Sequence, residues 1–356
     1  MDARDLRQLT ARDREILKDV ILTYILSAEP VSSRSVAKHG KLSLSAASIR
    51  NVMADLEDWG YLMQPHTSAG RVPTAAAYHL FIGSMMEARA VSARERRYIQ
   101  ENLIGGAADA DQLMGTASHL LSELSSQVGI VVTPAMGETV LKAVDFIAVS
   151  GRKVLCVVVS STGFVDNKLI ETEEEIPRDE LVRISNYLTE SFAGHTLREI
   201  RERLLRMMGE ERTQLDRVLA RTIELASSGF SVGEGPGVVV DGTSMLLAKP
   251  ELSDLQRVRR MFEAFADKAR LVKILNQCIQ GGGVRVLIGE DSELTSELDF
   301  SVVVTPYGVD DQPLGTLGIV GPSRMDYETV IPLVNFLGET LSQALAETFS
   351  SEPERR

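Results

Sequence analysis

Cysteine and histidine are scarce in this chain, with two Cys and five His among 356 residues. Cys156 and Cys278 stand far apart in apolar surroundings, with no CxxC pair and no histidine at metal-ligand spacing. A tetrahedral zinc site needs several clustered soft donors, and a disulfide framework needs more cysteines than this. Both thiols therefore read as buried and free, and no metal is expected. Long apolar runs are missing too. No stretch approaches the roughly 18 residues of a membrane-spanning helix. The start, MDARDLRQLTARDRE, lacks the apolar centre of a signal peptide. The expectation is a soluble, cytoplasmic chain whose 44% hydrophobic content can fill two or three domains.

Catalytic signatures are scarce as well: HExxH and the kinase motifs do not occur. Ser35 and Lys38 have SxxK spacing without the SDN or KTG companions, so chance explains them better. Gly281-Gly282-Gly283 precedes a strand-like run and has no P-loop lysine, which suits a helix-terminating turn. Glu171, Glu173, Glu174 and Glu175 read as solvent-facing carboxylates at a strand end. An enzyme is not expected, nor is a cofactor. A strongly basic segment is also absent. The net charge is −12, yet residues 1–75 carry ten Lys and Arg against nine Asp and Glu. That segment is not repelled by a polyanion, although it falls short of a basic patch.

What the N-terminal segment has is clear helical punctuation. Thr10 and Asp13 form a capping-box start, and Ile16, Leu17, Val20, Ile21, Tyr24 and Ile25 recur at helical spacing until Pro30. Ser32 or Ser33 can cap a shorter helix that stops at Gly40. Ser45 then caps a third helix, with Leu44 and Ile49 placed as a hydrophobic staple and Ile49, Val52, Met53 and Leu56 on one face. Ala47, Arg50, Asn51, Ala54 and Asp58 point outward, with Ser48 at the edge, while the acids Asp55, Glu57 and Asp58 lie toward the end.

Small, amide and basic residues at the start of a helix suit entry into a major groove. Asn can pair bidentately with adenine, and Arg can reach guanine or a phosphate. After Trp59-Gly60, residues Tyr61 to Gln64 can form a strand, Pro65 to Gly70 a turn and Arg71-Val72 a return strand. Three helices followed by such a hairpin read as a winged helix-turn-helix. Gly70 would then allow close backbone approach, or simply a positive φ, and Arg71 would supply a cation to the DNA backbone.

These residues carry a family resemblance. SAASIRNVMADLEDWGYL followed by PHTSAGRVPT closely resembles the N-terminal signature of the HrcA family, repressors of bacterial chaperone genes. Where the family usually continues with an aromatic and basic run, this chain reads Ala77-Tyr78-His79-Leu80-Phe81. The DNA-contact set implied by the matching positions and their helix would be Ser45, Ala47, Ser48, Arg50 and Asn51, with His66, Ser68, Gly70 and Arg71 on the wing. The resemblance also implies a homodimer on an inverted-repeat operator and modulation by a GroEL-type chaperonin.

Further along, residues 75–104 suit a linking helix, with a hinge over Arg89 to Arg97. The strand-like runs GIVVT, TVLKAVDFIAV, KVLCVVVSS and FVDNKLI follow a helix from about Asp111 to Gln127. Strands resume with GVRVLIG, FSVVVTP and PLGTLGIVGP before a final helix from Tyr327 to about Phe349. Between them lie a charged, mainly helical interval, whose charges read as a solvated face, and a long helix from Pro250 to Ile279.

The expected fold class is therefore multidomain α+β. A winged helix domain would take residues 1–75 and a linking helix and hinge 76–104. The resemblance implies a GAF-like domain, over 105–176 and 249–356, interrupted by an inserted dimerising domain over 177–248. The alternative function is a regulator whose GAF-like domain senses a small molecule, marked by an open polar pocket there.

Overall fold

The computed structural model describes residues 9–40, 44–66, 69–104, 110–161, 163–210, 221–222, 225–226, 228–230, 236–246, 249, 255–276, 282–292, 295–296, 299–309 and 312–350. The N-terminal head begins with helix α1 (Ala11–Ser27), whose Thr10–Asp13 capping box forms as the sequence suggests, and which ends at Ala28 in a left-handed conformation. Helices α2 (Ser33–His39) and α3 (Ala46–Asp58) are capped by Ser32 and Ser45. Strands β1 (Leu62–Met63) and β2 (Val72–Pro73) close an antiparallel hairpin. Ile16, Leu17, Val20, Ile49, Met53 and Leu56 are all buried, so the apolar stripes of α1 and α3 form the head's core.

Residues 75–104 are not one helix. Helix α4 (Ala75–Ser84) is separated from α5 (Ala93–Leu103), and a capping box between Ser92 and Glu95 starts the second. The proposed hinge residues Ala93 to Arg97 are thus helical, because that box and the buried Ile99 and Leu103 outweigh their polar character.

The remaining elements divide into two units. Helix α6 (Ala110–Ser125) leads into β3 (Val128–Val132); β4 (Leu141–Ser150), β5 (Lys153–Ser160) and β6 (Val165–Glu171) follow, then α7 (Arg178–Phe192) and α8 (Leu197–Glu210). Next come β7 (Val238–Asp241), α9 (Leu255–Ala266), α10 (Lys268–Asn276), β8 (Arg285–Ile288), β9 (Phe300–Val309), β10 (Gln312–Pro322) and α11 (Tyr327–Ser350). The expected long helix over 250–279 is broken at Asp267, whose carboxylate accepts the Arg270 amide at 3.0 Å and starts a second helix.

A five-stranded antiparallel sheet runs in the order β7-β3-β10-β9-β8. Its strands read as continuous valine and isoleucine because both faces are covered. Val131, Val303, Tyr307 and Ile319 pack toward α6 and α11, while Ile130, Val132, Val302 and Val304 pack toward α9 and α10. Strand β7 belongs to this sheet through Gly129↔Asp241 and Val132↔Val238 pairing, although the sequence division put it in the insertion.

Strands β4, β5 and β6 lie apart, in a three-stranded sheet of their own rather than with the other strand-like runs. Tight turns at Gly151 and Gly163, both left-handed, let these strands pair locally. Their inward residues Val144, Phe146, Val154, Cys156 and Val158 share a second core with Leu181, Ile184 and Leu188 of α7. The side chains of Thr189 and Ser185 accept the Val144 and Phe146 amides, at 3.1 and 2.9 Å, and so satisfy the outer edge of β4. Arg221, expected on a solvated face, is instead mostly covered and pairs with Glu180 and Glu174 at 2.8 Å. Cys156 is free and buried, and burial pushes its thiol up to about 12; Cys278 lies outside the described residues.

The head does not swing free of the five-stranded domain, because one continuous core joins them. The Tyr78 and Tyr327 rings meet at 5.6 Å, Arg324 donates to the Ile25 carbonyl at 3.1 Å, and His79 pairs with Asp291 at 3.0 Å. Lys18 bonds Glu87 at 2.9 Å, which holds its ammonium above the ordinary range.

Candidate nucleic-acid interface

The start of α3 is built by Ser45, whose hydroxyl accepts the Ser48 amide at 3.1 Å and lies 2.9 Å from the Ser48 hydroxyl. That cap satisfies one of the four open amides of the first turn. Burial of Ile49, Val52, Met53 and Leu56 then orients the rod, and the opposite side turns to solvent. Ala47, Arg50 and Asn51 are exposed there, with Ser48 half-buried. Neither the Arg50 nor the Asn51 side chain is tied to any described residue. Two polar groups able to read a base edge or hold a phosphate thus stand uncommitted on the N-terminal half of α3. Asp55 and Asp58 are exposed on the other half, which makes the helix polar along its length.

Sequence reasoning passed over two cations on α2. Arg34 and Lys38 are exposed and without a partner among the described residues. Their signal was available, since they sit four apart on a short capped helix beside the apolar Val36.

The wing departs more from its sequence reading. His66 is exposed, and its carbonyl accepts the Ala69 amide at 2.8 Å in a tight turn; Ser68 lies outside the described residues. Gly70 is not in a left-handed conformation. A Cβ at Gly70 would stand 2.5 Å from the Pro30 and Val31 carbonyl oxygens, so the glycine is needed where the wing crosses the chain entering α2. A positive φ therefore does not account for it.

Arg71 forms an isolated antiparallel bridge with Val31. The Arg71 amide donates to the Val31 carbonyl at 2.9 Å, and the Val31 amide donates back at 2.8 Å. Its guanidinium turns inward to Glu57, with Nε and Nη2 each 2.8 Å from Oε2. The Arg71 side chain is 17% exposed and that of Glu57 31%. The cation expected to face DNA is thus occupied within the head. Glu57 is the residue that sequence reasoning missed, since an acid toward the end of a helix gives no sign of a partner fourteen residues on.

Residues 111–331 match the family model described as the HrcA protein C terminal domain. The chain is also 38% identical over 337 residues to the heat-inducible transcription repressor HrcA of Geobacter sulfurreducens, with 95% of this chain and 98% of that protein covered. The chain belongs to the HrcA family.

The repressor HrcA of Xanthomonas axonopodis pv. citri is 39% identical over 345 residues, covering 97% of this chain and 98% of that protein. These HrcA relatives span the head as well as the two α+β units, and their names are those of transcription repressors rather than enzymes. A solved structure described as a hypothetical protein shares the fold, with a TM-score of 0.60 at 24% identity over 96% of this chain and 99% of that one. No helix among the described residues is long and apolar enough to cross a membrane, and no group of three or more His, Cys, Asp or Glu among them could hold a metal ion.

Proposed function

We propose that this protein is a cytoplasmic, sequence-specific repressor of heat-shock chaperone genes, which binds an inverted-repeat operator as a homodimer through winged helix heads. The exposed, uncommitted Arg50 and Asn51 on α3 are the observation that carries this reading. Asn51 and Arg50 would read base edges, while Ser45, Ser48 and the α2 cations Arg34 and Lys38 position the helix on the phosphates. His66 and Ser68, which lie in sequence between β1 and β2, would meet the backbone.

A head with so small a net charge binds DNA weakly alone, so joining two heads supplies the affinity. The three-stranded unit is the proposed dimerising element, and the five-stranded domain the GAF-like one. The open face of the three-stranded sheet aligns Ile147, Leu155 and Leu169 in one row and Val159 and Val165 in another. Ile147, Val149, Val165 and Leu169 are between 45 and 57% exposed, an apolar patch that suits a second copy. The apolar packing on both faces of the five-stranded sheet favours a structural role for that domain over small-molecule sensing. Modulation by a GroEL-type chaperonin rests on the family resemblance.

The test is operator binding by the full chain. Asn51→Ala or Arg50→Ala should cost about 1–3 kcal/mol on the specific operator and relax base preference at one position. Equal losses on operator and scrambled DNA would remove these residues from direct readout. Absence of any footprint on chaperone-gene promoters, with or without chaperonin, would sink the reading as a whole.

A further inference from the structure

The head contains an internal ion pair that the DNA-binding reading does not use. Glu57 stands seven residues after Arg50, about two helical turns along the same rod. One end of α3 therefore carries the exposed reading groups, and the other is tied to the wing by two contacts of 2.8 Å from Arg71. The arginine backbone is itself held by both hydrogen bonds to Val31, and Gly70 beside it fills the crossing against Pro30 and Val31. Arg71 is thus fixed at its backbone by the strand before α2 and at its guanidinium by α3. The contact also neutralises one of the three acids in the last turn of α3, where Asp55 and Asp58 remain exposed.

We propose that Glu57 is a positioning residue for DNA binding: it holds Arg71 as a strut that sets the wing against the recognition helix, and Arg71 does not contact phosphate. This rests on the reading of the head as a winged helix. A rigid angle between helix and wing matters because a base contact is made only when the backbone contacts of the same head are in register with it.

The sign of one substitution separates this from the opposite view. With the strut broken, Glu57→Gln should weaken operator binding by about tenfold, with the dependence on salt concentration unchanged. A phosphate-binding Arg71 would instead be released by Glu57→Gln, so affinity would rise and the salt slope steepen by about one ion.

The exchanged pair Glu57→Arg with Arg71→Glu keeps the strut and should restore affinity to within a few-fold of the parent protein. Were Arg71 a phosphate contact, the exchange would put a carboxylate against the backbone and abolish binding. Arg71→Lys, which keeps the charge but loses the fork, should weaken binding with no change in slope. Tighter binding by Glu57→Gln, or failure of the exchanged pair in a protein with a normal helical signal and melting temperature, overturns the proposal. If the parent protein itself binds no operator, the fault lies with the functional reading rather than with the strut.

Discussion

Replacing Gly70 by alanine tests the wing crossing directly. The added Cβ would lie 2.5 Å from the Pro30 and Val31 carbonyl oxygens and 2.6 Å from the Val31 carbonyl carbon, all of them backbone atoms. Ordinary van der Waals contact begins near 3.4 Å, so one strand must move by close to 1 Å. If the strands hold, the overpacking costs about 1–3 kcal/mol. If they part, the two Arg71–Val31 hydrogen bonds are lost, and at about 0.5–1.5 kcal/mol each the cost is again about 1–3 kcal/mol. The two routes agree in size, and the second is local.

Hydrogen exchange is therefore the suitable assay. Protection of the Val31 and Arg71 amides should fall by roughly ten- to a hundredfold, with the α1 and α3 cores little affected. Gly83→Ala provides the contrast within the neighbouring helix: nothing lies within 4 Å of its Cβ position, and its φ is not left-handed. That substitution should stabilise the protein by about 0.5–1 kcal/mol. Unchanged protection at Val31 and Arg71 in Gly70→Ala would refute the crossing as the reason for glycine.

Two further outcomes follow from burial. Tyr78 is 2% exposed and its hydroxyl makes no hydrogen bond among the described residues, while burial holds its phenol well above the usual range. Tyr78→Phe should leave the melting temperature unchanged or raise it, and a loss beyond about 1 kcal/mol would reveal a partner for that hydroxyl. On the three-stranded sheet, Ile147→Asp with Leu169→Asp should convert the proposed dimer to monomers in sedimentation and lower operator affinity by roughly a hundredfold. A dimer that survives both changes would exclude this face as the contact between copies.

The head was the most legible part of the molecule, and the reason is locality. Thr10 with Asp13 and Ser45 with Ser48 are caps whose partners lie three residues away, and the stripes of α1 and α3 repeat within a few turns. Such features are decided by neighbours in the chain, so they can be read before any fold is known. The exposure of Arg50 and Asn51 followed from the same periodicity, which made the reading half of the candidate interface visible from sequence.

The wing and the strand groups were less legible because their meaning depends on distant backbone. Gly70 has the same appearance in sequence whether it supports a left-handed turn, a ligand contact or a chain crossing, and only the position of Pro30–Val31 decides. Arg71 likewise looked free until the packing of α3 brought Glu57 to it. Alternation and β-branching identify a strand but not its sheet, so β7 fell on the wrong side of the division and β4–β6 seemed part of the larger domain.

By itself, then, the amino-acid sequence determined the capped helices, the outward face of α3 and the family. The tertiary structure alone decided which strands share a sheet, which arginine stays uncommitted, and how the head is seated on the body. Those last choices depend on hydrogen-bond partners and close contacts between segments far apart in the chain, and no local pattern encodes them.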